Sequence, residues 1–321
     1  MKLISILTPT YNEEDNVREV YAQVRAVFAG LPEYDYEHIF IDNASRDRTV
    51  EILRELAAED PRVRVIVNTR NFGHIRSPYH GILQARGDAV IPLVADLQDP
   101  PEMIVDFLRQ WEAGYKIVIA VKTESRESRL MFAVRKAYYR LMERLSEIEL
   151  VQNFTGFGLY DREVIQKLRE IGDPYPYFRG LICDLGYARA EIPFTQPRRA
   201  RGITKNNFYT LYDIAMLGIT NHSKVPLRLA TMTGFAMSLL SLLVALGYLV
   251  YKIVEWKNFQ VGMAPLVIGL FFFASVQLTF IGILGEYIGA IHTQVLRRPL
   301  VVEKERINFG ENSQPTPSEV P

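Results

Sequence analysis

The 321-residue chain has a single cysteine, Cys183, which excludes an intramolecular disulfide and a cysteine-based zinc site. It has no net charge: Lys+Arg and Asp+Glu both total 37, so the basic excess of a general nucleic-acid binder is missing. It has no G-x-x-x-x-G-K-[ST] loop and no G-x-G-x-x-G after its first apolar run, where 8–14 reads TPTYNEE, so P-loop and dinucleotide-binding readings are set aside. Charge is absent altogether from 229–251 and 258–285. A helix crosses the hydrocarbon core with about 20 apolar residues, and buried core helices rarely run this long without a charge, so two membrane spans are predicted. The N-terminal stretch MKLISILTPTYNEE has too short an apolar run for a signal peptide, and the long segment ahead of the spans is expected to stay where it is made.

Flanking charges orient the spans. Lys224 and Arg228 precede the first, Arg297, Arg298, Lys304 and Arg306 follow the second, and the connector carries only Lys252 and Lys257. The positive-inside rule then predicts a multi-pass protein of the inner (plasma) membrane with both termini and the soluble domain cytoplasmic. Glu286 falls at the cytoplasmic end of the second span, within reach of the headgroups. Between about Lys205 and Val225, Phe208, Leu211, Tyr212, Ala215, Met216 and Ile219 recur at helical spacing between basic residues, the pattern of an interfacial helix. The expected organisation is a soluble domain over 1–200, an interfacial segment over 201–225, two spans over 226–290 and a tail over 291–321 with a disordered end. Glycines in the spans could pack helices, leaving a homo-oligomer open.

The soluble part alternates strand and helix signals. Apolar runs at 3–8, 37–41, 63–67 and 89–94 read as strands, and the spacing of Val17, Val20, Val24 and Val27, with 49–58 and 80–85, reads as helices. That alternation predicts an α/β fold with a mostly parallel sheet, whose ligands bind beyond the carboxyl ends of the strands. Three segments occupy those places. Tyr11 offers a flat face to a base, and Glu13 and Asp42 can accept hydrogen bonds from base or ribose. After the fourth strand, Asp96, Gln98 and Asp99 are oxygen donors suited to Mg²⁺ or Mn²⁺, which would neutralise a diphosphate. Ordinary readings compete: Asp42 to Asp47 could be a turn and helix cap, and Asp99-Pro100-Pro101-Glu102 a helix start. Their joint occurrence at successive strand ends favours a nucleotide site.

On these residues the chain resembles the inverting glycosyltransferases of GT-A fold that act on polyisoprenyl phosphates, the type that includes dolichol-phosphate mannose synthase and bacterial polyprenyl-phosphate glucosyltransferases. The resemblance rests on Pro9-Thr10-Tyr11-Asn12-Glu13-Glu14, on Asp42-Asn43-Ala44-Ser45-Arg46-Asp47-Arg48-Thr49, on Arg70-Asn71-Phe72-Gly73 and on Asp96-Leu97-Gln98-Asp99-Pro100-Pro101. Thr204-Lys205, two spans, Gly285-Glu286-Tyr287-Ile288-Gly289 and Arg298-Pro299 follow in order. It implies sugar transfer from a nucleotide-sugar donor to a polyprenyl phosphate in the lipid bilayer. Pro9, Tyr11, Glu13 and Asp42 would hold the nucleoside. Asp96 and Gln98 would hold the metal, with Asp96 the catalytic position. Arg126, Arg135 and Lys205 would hold the lipid phosphate, although Arg135 could equally lie on a solvated helix face and Lys205 in a headgroup-binding cluster.

The chain departs from the family pattern at two main places. Val94 stands where the first aspartate of D-x-D is usual. Gly156 stands where T-G-D-F-R-L carries an aspartate assigned as base, with Gly158 at its arginine. A phosphate acceptor tolerates the second loss, because it is already mostly ionised at pH 7. A non-catalytic relative that binds nucleotide sugar or lipid as a scaffold is the competing reading. A processive polysaccharide synthase would need more spans and a Q-x-x-R-W motif, which is absent.

Overall fold

The computed structural model describes residues 1–123, 151–197, 216–220, 223–254 and 263–310. Arg126, Arg135, Lys205 and most of the expected interfacial helix lie outside the described residues; 216–220 is helical.

The strands are β1 (Lys2–Thr10), β2 (Tyr34–Asp42), β3 (Val63–Asn68), β4 (Ala89–Pro92), β5 (Ile117–Lys122), β6 (Phe154–Asp161), β7 (Arg189–Phe194) and β8 (Glu303–Ile307). They form one sheet in the order β7-β5-β6-β4-β1-β2-β3-β8. β1 pairs in parallel with β2 and β4, β2 with β3, and β5 with β7; β6 runs antiparallel between β4 and β5, and β8 antiparallel on β3. The fold is thus a mostly parallel α/β sheet of GT-A type, as expected. The carboxyl ends of β1, β2, β4 and β5 share one edge, and the antiparallel β6 starts there.

Helices cover both faces, which is why the strands read as continuous apolar runs rather than alternating ones. On one face α1 (Val17–Ala29), α2 (Thr49–Glu59) and α4 (Met103–Glu112) bury Val20, Val24, Leu53 and Phe107 against Ile4, Ile6 and Phe40. On the other, α3 (Gly73–Gln84), α5 (Arg162–Ile171) and α6 (Phe178–Asp184) bury Tyr79, Ile82, Ile165 and Ile182 against Leu7, Ile39 and Ile41. At the start of α5 the Asp161 carboxylate caps the helix by accepting the Glu163 backbone N–H at 2.8 Å.

Two long helices follow, α7 (Val225–Val254) and α8 (Met263–Leu296), each long and apolar enough to cross a membrane and with no buried share in their apolar windows. Residues that the sequence groups with a tail then return to the sheet as β8. Its Glu303 meets His80 and Arg306, and Arg54 reaches Glu305 at 2.6 Å.

Inside the sheet, His38 is fully buried, its Nε2 within 2.9 Å of Thr8 Oγ1 and its ring stacked on Phe40. Burial pushes its pKa down to about 3, against a small upward pull from Asp60. A base with a depressed folded pKa loses stability as pH falls from its unfolded value, 6.5, toward 3. The buried Asp99 carboxyl, pushed up to about 7 first by burial and then by Asp96, has the opposite slope in that window. The difference between wild type and His38→Gln, which can keep the bond to Thr8, isolates the histidine. Relative to wild type, the variant should gain about 2 kcal/mol between pH 6.5 and 5. Chemical or thermal denaturation at both pH values checks this, and parallel curves would refute it.

Candidate active site

The carboxyl-terminal edge of the sheet opens into a cavity of about 770 Å³. Its walls come from the end of β1 (Pro9, Thr10, Tyr11, Glu13), the segment after β4 (Leu93 to Asp96, Gln98, Asp99) and the last residue of β5, Lys122. The start of α3, the first half of β6 (Thr155, Gly156, Phe157) and the start of α6 (Phe178, Arg179) complete it.

The loops at this edge are held in unusual backbone shapes. Asn12, Ala44 and Leu97, just beyond β1, β2 and β4, have φ of 56°, 62° and 57°. Ala and Leu have no polar side chain to compensate this left-handed geometry, which costs roughly 1 kcal/mol or more each. Polar links offset the cost. The Asn12 N–H donates to Ser45 Oγ at 2.8 Å, the Arg46 N–H to Asn12 Oδ1 at 2.8 Å, and the Glu13 N–H to Thr49 Oγ1 at 2.9 Å. The first two motifs of the sequence are therefore two halves of one hydrogen-bonded loop pair. A third motif is tied in by Asn43, whose Nδ2 donates to Asn71 Oδ1 and to the Gly73 carbonyl, each at 3.0 Å, and whose Oδ1 accepts the Phe72 N–H at 2.8 Å.

Pro9, Tyr11, Glu13, Asp96 and Gln98 all line this cavity. Asp42 is not among the lining residues. It is fully buried, accepts from the Ser45 N–H at 2.9 Å, from Ser45 Oγ, and from Thr10 Oγ1 at 3.4 Å, and burial raises its pKa despite those bonds. The ordinary readings hold as well. Thr49 N–H and Oγ1 both donate to Asp47 Oδ1 at the start of α2, and Pro100 and Pro101 carbonyls open the turn into α4.

Asp96 is 9% exposed and Asp99 5%. Asp96 Oδ1 accepts the Gln98 N–H at 3.1 Å. No group of three or more His, Cys, Asp or Glu side chains gathers among the described residues as a self-sufficient metal cage. A cavity-lining carboxylate, a neighbouring amide and a second carboxyl whose charged form is disfavoured by burial and then by its like-charged neighbour fit a cation shared with a substrate diphosphate, since Mg²⁺ is commonly held by one or two carboxylates plus phosphates and water.

Sequence reasoning passed over Lys122 and Arg179, two basic residues that line the same cavity, the first close enough to lower the Asp99 pKa against its burial. Arg179 Nη1 also donates to the Phe154 carbonyl at 3.2 Å. Lys122 ends a strand, so the strand-end rule extended to β5 would have found it; Arg179 has no comparable signal.

The family model of glycosyl transferase family 2 matches residues 5–169. The chain belongs to that family. Its relatives extend over the whole length. This glycosyltransferase is 34% identical over 300 residues to the uncharacterized glycosyltransferase YkcC of Bacillus subtilis (strain 168), covering 93% of this chain and 92% of the relative. It is 34% identical over 303 residues to the bactoprenol glucosyl transferase of Shigella phage SfII, covering 94% of this chain and 97% of the relative. It is 34% identical over 298 residues to the uncharacterized glycosyltransferase sll0501 of Synechocystis sp., covering 92% and 93%. The span-bearing C-terminal part is therefore shared with these relatives and is not an addition peculiar to this glycosyltransferase.

The family pattern's missing aspartate has a local explanation. Gly156 has a φ of +103°, which a side-chain-bearing residue adopts only under strain, and its carbonyl accepts the Tyr160 hydroxyl at 2.8 Å.

Proposed function

We propose that this glycosyltransferase moves a hexosyl group, a glucosyl group in the first instance, from a nucleoside diphosphate sugar to a polyprenyl phosphate, with inversion at the anomeric carbon. The observation that carries the reading is the cavity at the strand ends, lined by Asp96, Gln98, Lys122 and Arg179, in a chain that also has two apolar helices of 30 and 34 residues. The full-length similarity to the bactoprenol glucosyl transferase of Shigella phage SfII supports the acceptor.

In the reaction an acceptor phosphate oxygen forms a bond to the sugar anomeric carbon. The bond from that carbon to the donor diphosphate breaks, and its electron pair leaves with the diphosphate. No proton needs to be removed from an ionised phosphate, so Gly156 in place of a carboxylate does not block the step. Tyr11, Pro9 and Glu13 shape the nucleoside end, while Asp42, from beneath, fixes the Ser45 turn on which that end rests. Lys122 and Arg179 place positive charge where negative charge grows on the leaving group, which is where fixed charges lower a barrier most. Asp96 and Gln98 would hold Mg²⁺ or Mn²⁺, which when bound would screen the donor diphosphate. Arg126, Arg135 and Lys205 remain the proposed contacts of the lipid phosphate.

The two sides of the span pair contribute to one sheet, since β1 to β7 precede the spans and β8 follows them. The chain must then cross the bilayer an even number of times. With Lys224, Arg228, Arg297 and Arg298 at the ends nearest the domain, the positive-inside rule puts that domain in the cytoplasm.

The test is incubation of the purified full-length protein with polyprenyl phosphate and a panel of radiolabelled nucleotide sugars, followed by lipid extraction. Label is expected in the lipid phase with polyprenyl phosphate and not with the free polyprenol. Gly156→Asp should bring no gain in rate, because it adds backbone strain and like charge beside the acceptor. Efficient glycosylation of the alcohol, or a large gain in Gly156→Asp, would overturn the acceptor assignment.

A further inference from the structure

A second cavity, of about 1030 Å³, lies where the soluble domain meets the last turns of α8. Tyr79 is the one residue that lines both cavities, so this space lies across Tyr79 from Asp96, Lys122 and Arg179. One wall is apolar and membrane-facing in character: Ile291 and Val295 of α8, with Leu181, Leu83 and Leu300 opposite.

α8 has 34 residues and so a length of about 51 Å, well beyond the roughly 30 Å hydrocarbon core. Its last turns, which line this cavity from Tyr287 to Val295, therefore reach the headgroup layer. Arg297 and Arg298 follow directly and also line it.

Two more arginines stand behind them. Arg70 and Arg76 both sit over the Phe72 ring, at 4.0 and 5.4 Å from its centroid. Arg76 donates to the Pro299 carbonyl, while its Nε is buried without a hydrogen-bond partner. Burial, then Arg70 and Arg298, push the Arg76 pKa below its ordinary value, against a lesser upward pull from Tyr175. None of these four arginines forms an ion pair with a carboxylate among the described residues. Like charges so gathered repel one another unless an anion joins them. Two carboxylates line the same cavity: Asp173, which accepts Gln294 Nε2 of α8 at 2.8 Å and the Tyr175 N–H at 2.9 Å, and Asp184.

We infer that this cavity is a binding site for an anionic glycerophospholipid of the bilayer, its phosphate on Arg297 and Arg298 with Arg70 and Arg76 behind, its acyl chains along Ile291 and Val295. A glycerol headgroup can donate its hydroxyls to Asp173 and Asp184, which a choline headgroup cannot. The occupant proposed here is a fixed lipid of the membrane interface, separate from the acceptor, whose phosphate is assigned above to Arg126, Arg135 and Lys205. The inference stands on the spans and the arginine cluster, independently of the transfer reaction.

Full-length protein in detergent is exchanged against radiolabelled phosphatidylglycerol, phosphatidylethanolamine or phosphatidylcholine and the retained lipid is counted. Phosphatidylglycerol should bind at least about ten-fold more tightly than phosphatidylcholine, as expected for two or more arginines against one added negative charge, and phosphatidylethanolamine, whose ammonium can donate to Asp173 and Asp184, should fall between them. The preference should fall steeply with added salt. Arg297→Gln with Arg298→Gln should remove it, and Arg298→Lys should keep most of it; melting curves and size exclusion establish that each variant is folded. Equal retention of the three lipids, a salt-insensitive preference in the wild type, or an unchanged preference in a folded double glutamine variant would each overturn the assignment. Should the double variant not fold, the wild-type salt series decides alone.

Discussion

Asp96→Asn is expected to lower sugar transfer by at least about 10²-fold, the scale on which loss of one preorganised charge acts on a developing diphosphate. Asp96 lines the cavity beside Gln98 and Asp99, and Val94 leaves it without the aspartate that usually stands two positions earlier. Asp96 Oδ1 accepts the Gln98 N–H at 3.1 Å, and an asparagine carbonyl can accept the same bond. A cooperative melting transition should therefore persist in the variant, so that the loss is read as one of transfer and not of fold. Transfer of radiolabelled sugar into extracted lipid at saturating Mg²⁺, alongside a melting curve, separates the two effects. Near-normal transfer would sink the metal assignment.

The second large effect is structural. A Cβ placed on Gly158 would fall 2.3 Å from the Val118 carbonyl oxygen and 3.0 Å from Ile119 Cα, both backbone atoms of β5 that cannot swing away. Gly158→Ala must push apart two paired strands in the middle of the sheet. Overpacking of this kind costs about 3 kcal/mol or more, and Gly158→Arg, the residue type of the family pattern, should not fold at all. Urea denaturation of Gly158→Ala checks the estimate; wild-type stability would mean that β5 and β6 lie further apart than described. Both departures from the family pattern sit where β6 disfavours a side chain: Gly156 through its φ of +103°, Gly158 through the Val118 carbonyl beside it.

Much of this was legible in the sequence because it was written in apolar periodicity. The first four strands and the helices between them have runs of Ile, Leu and Val that burial on both faces demands, and the strand-end rule then pointed to Pro9, Tyr11, Glu13, Asp96 and Gln98. Asp42 shows where such reading stops. Its position at a strand end was clear, but the direction of its side chain depends on the Ala44 backbone, whose left-handed shape no residue type announces. β8 was missed for a different reason. Its sequence, EKERI, has almost no apolar pattern, and its strand character comes from pairing with β3 and from contacts of Glu303 with His80 and Arg306, more than 200 residues apart from one another in the first case. Lys122 and Arg179 are single cations in the sequence, and only the fold turns them toward one space.

The position of β8 also sets an order of events during synthesis. β3 is made early and is exposed along one edge until residues 303–307 arrive, after both long helices have left the ribosome. Throughout that interval the nascent domain presents an unpaired strand, the kind of surface on which chains join to one another wrongly. Insertion of the helix pair into the bilayer is therefore also the step that delivers the missing strand. A chain that stalls at the membrane would keep an open, adhesive edge, and a chain truncated after α8 should aggregate even though every residue lining the cavity at the strand ends is present.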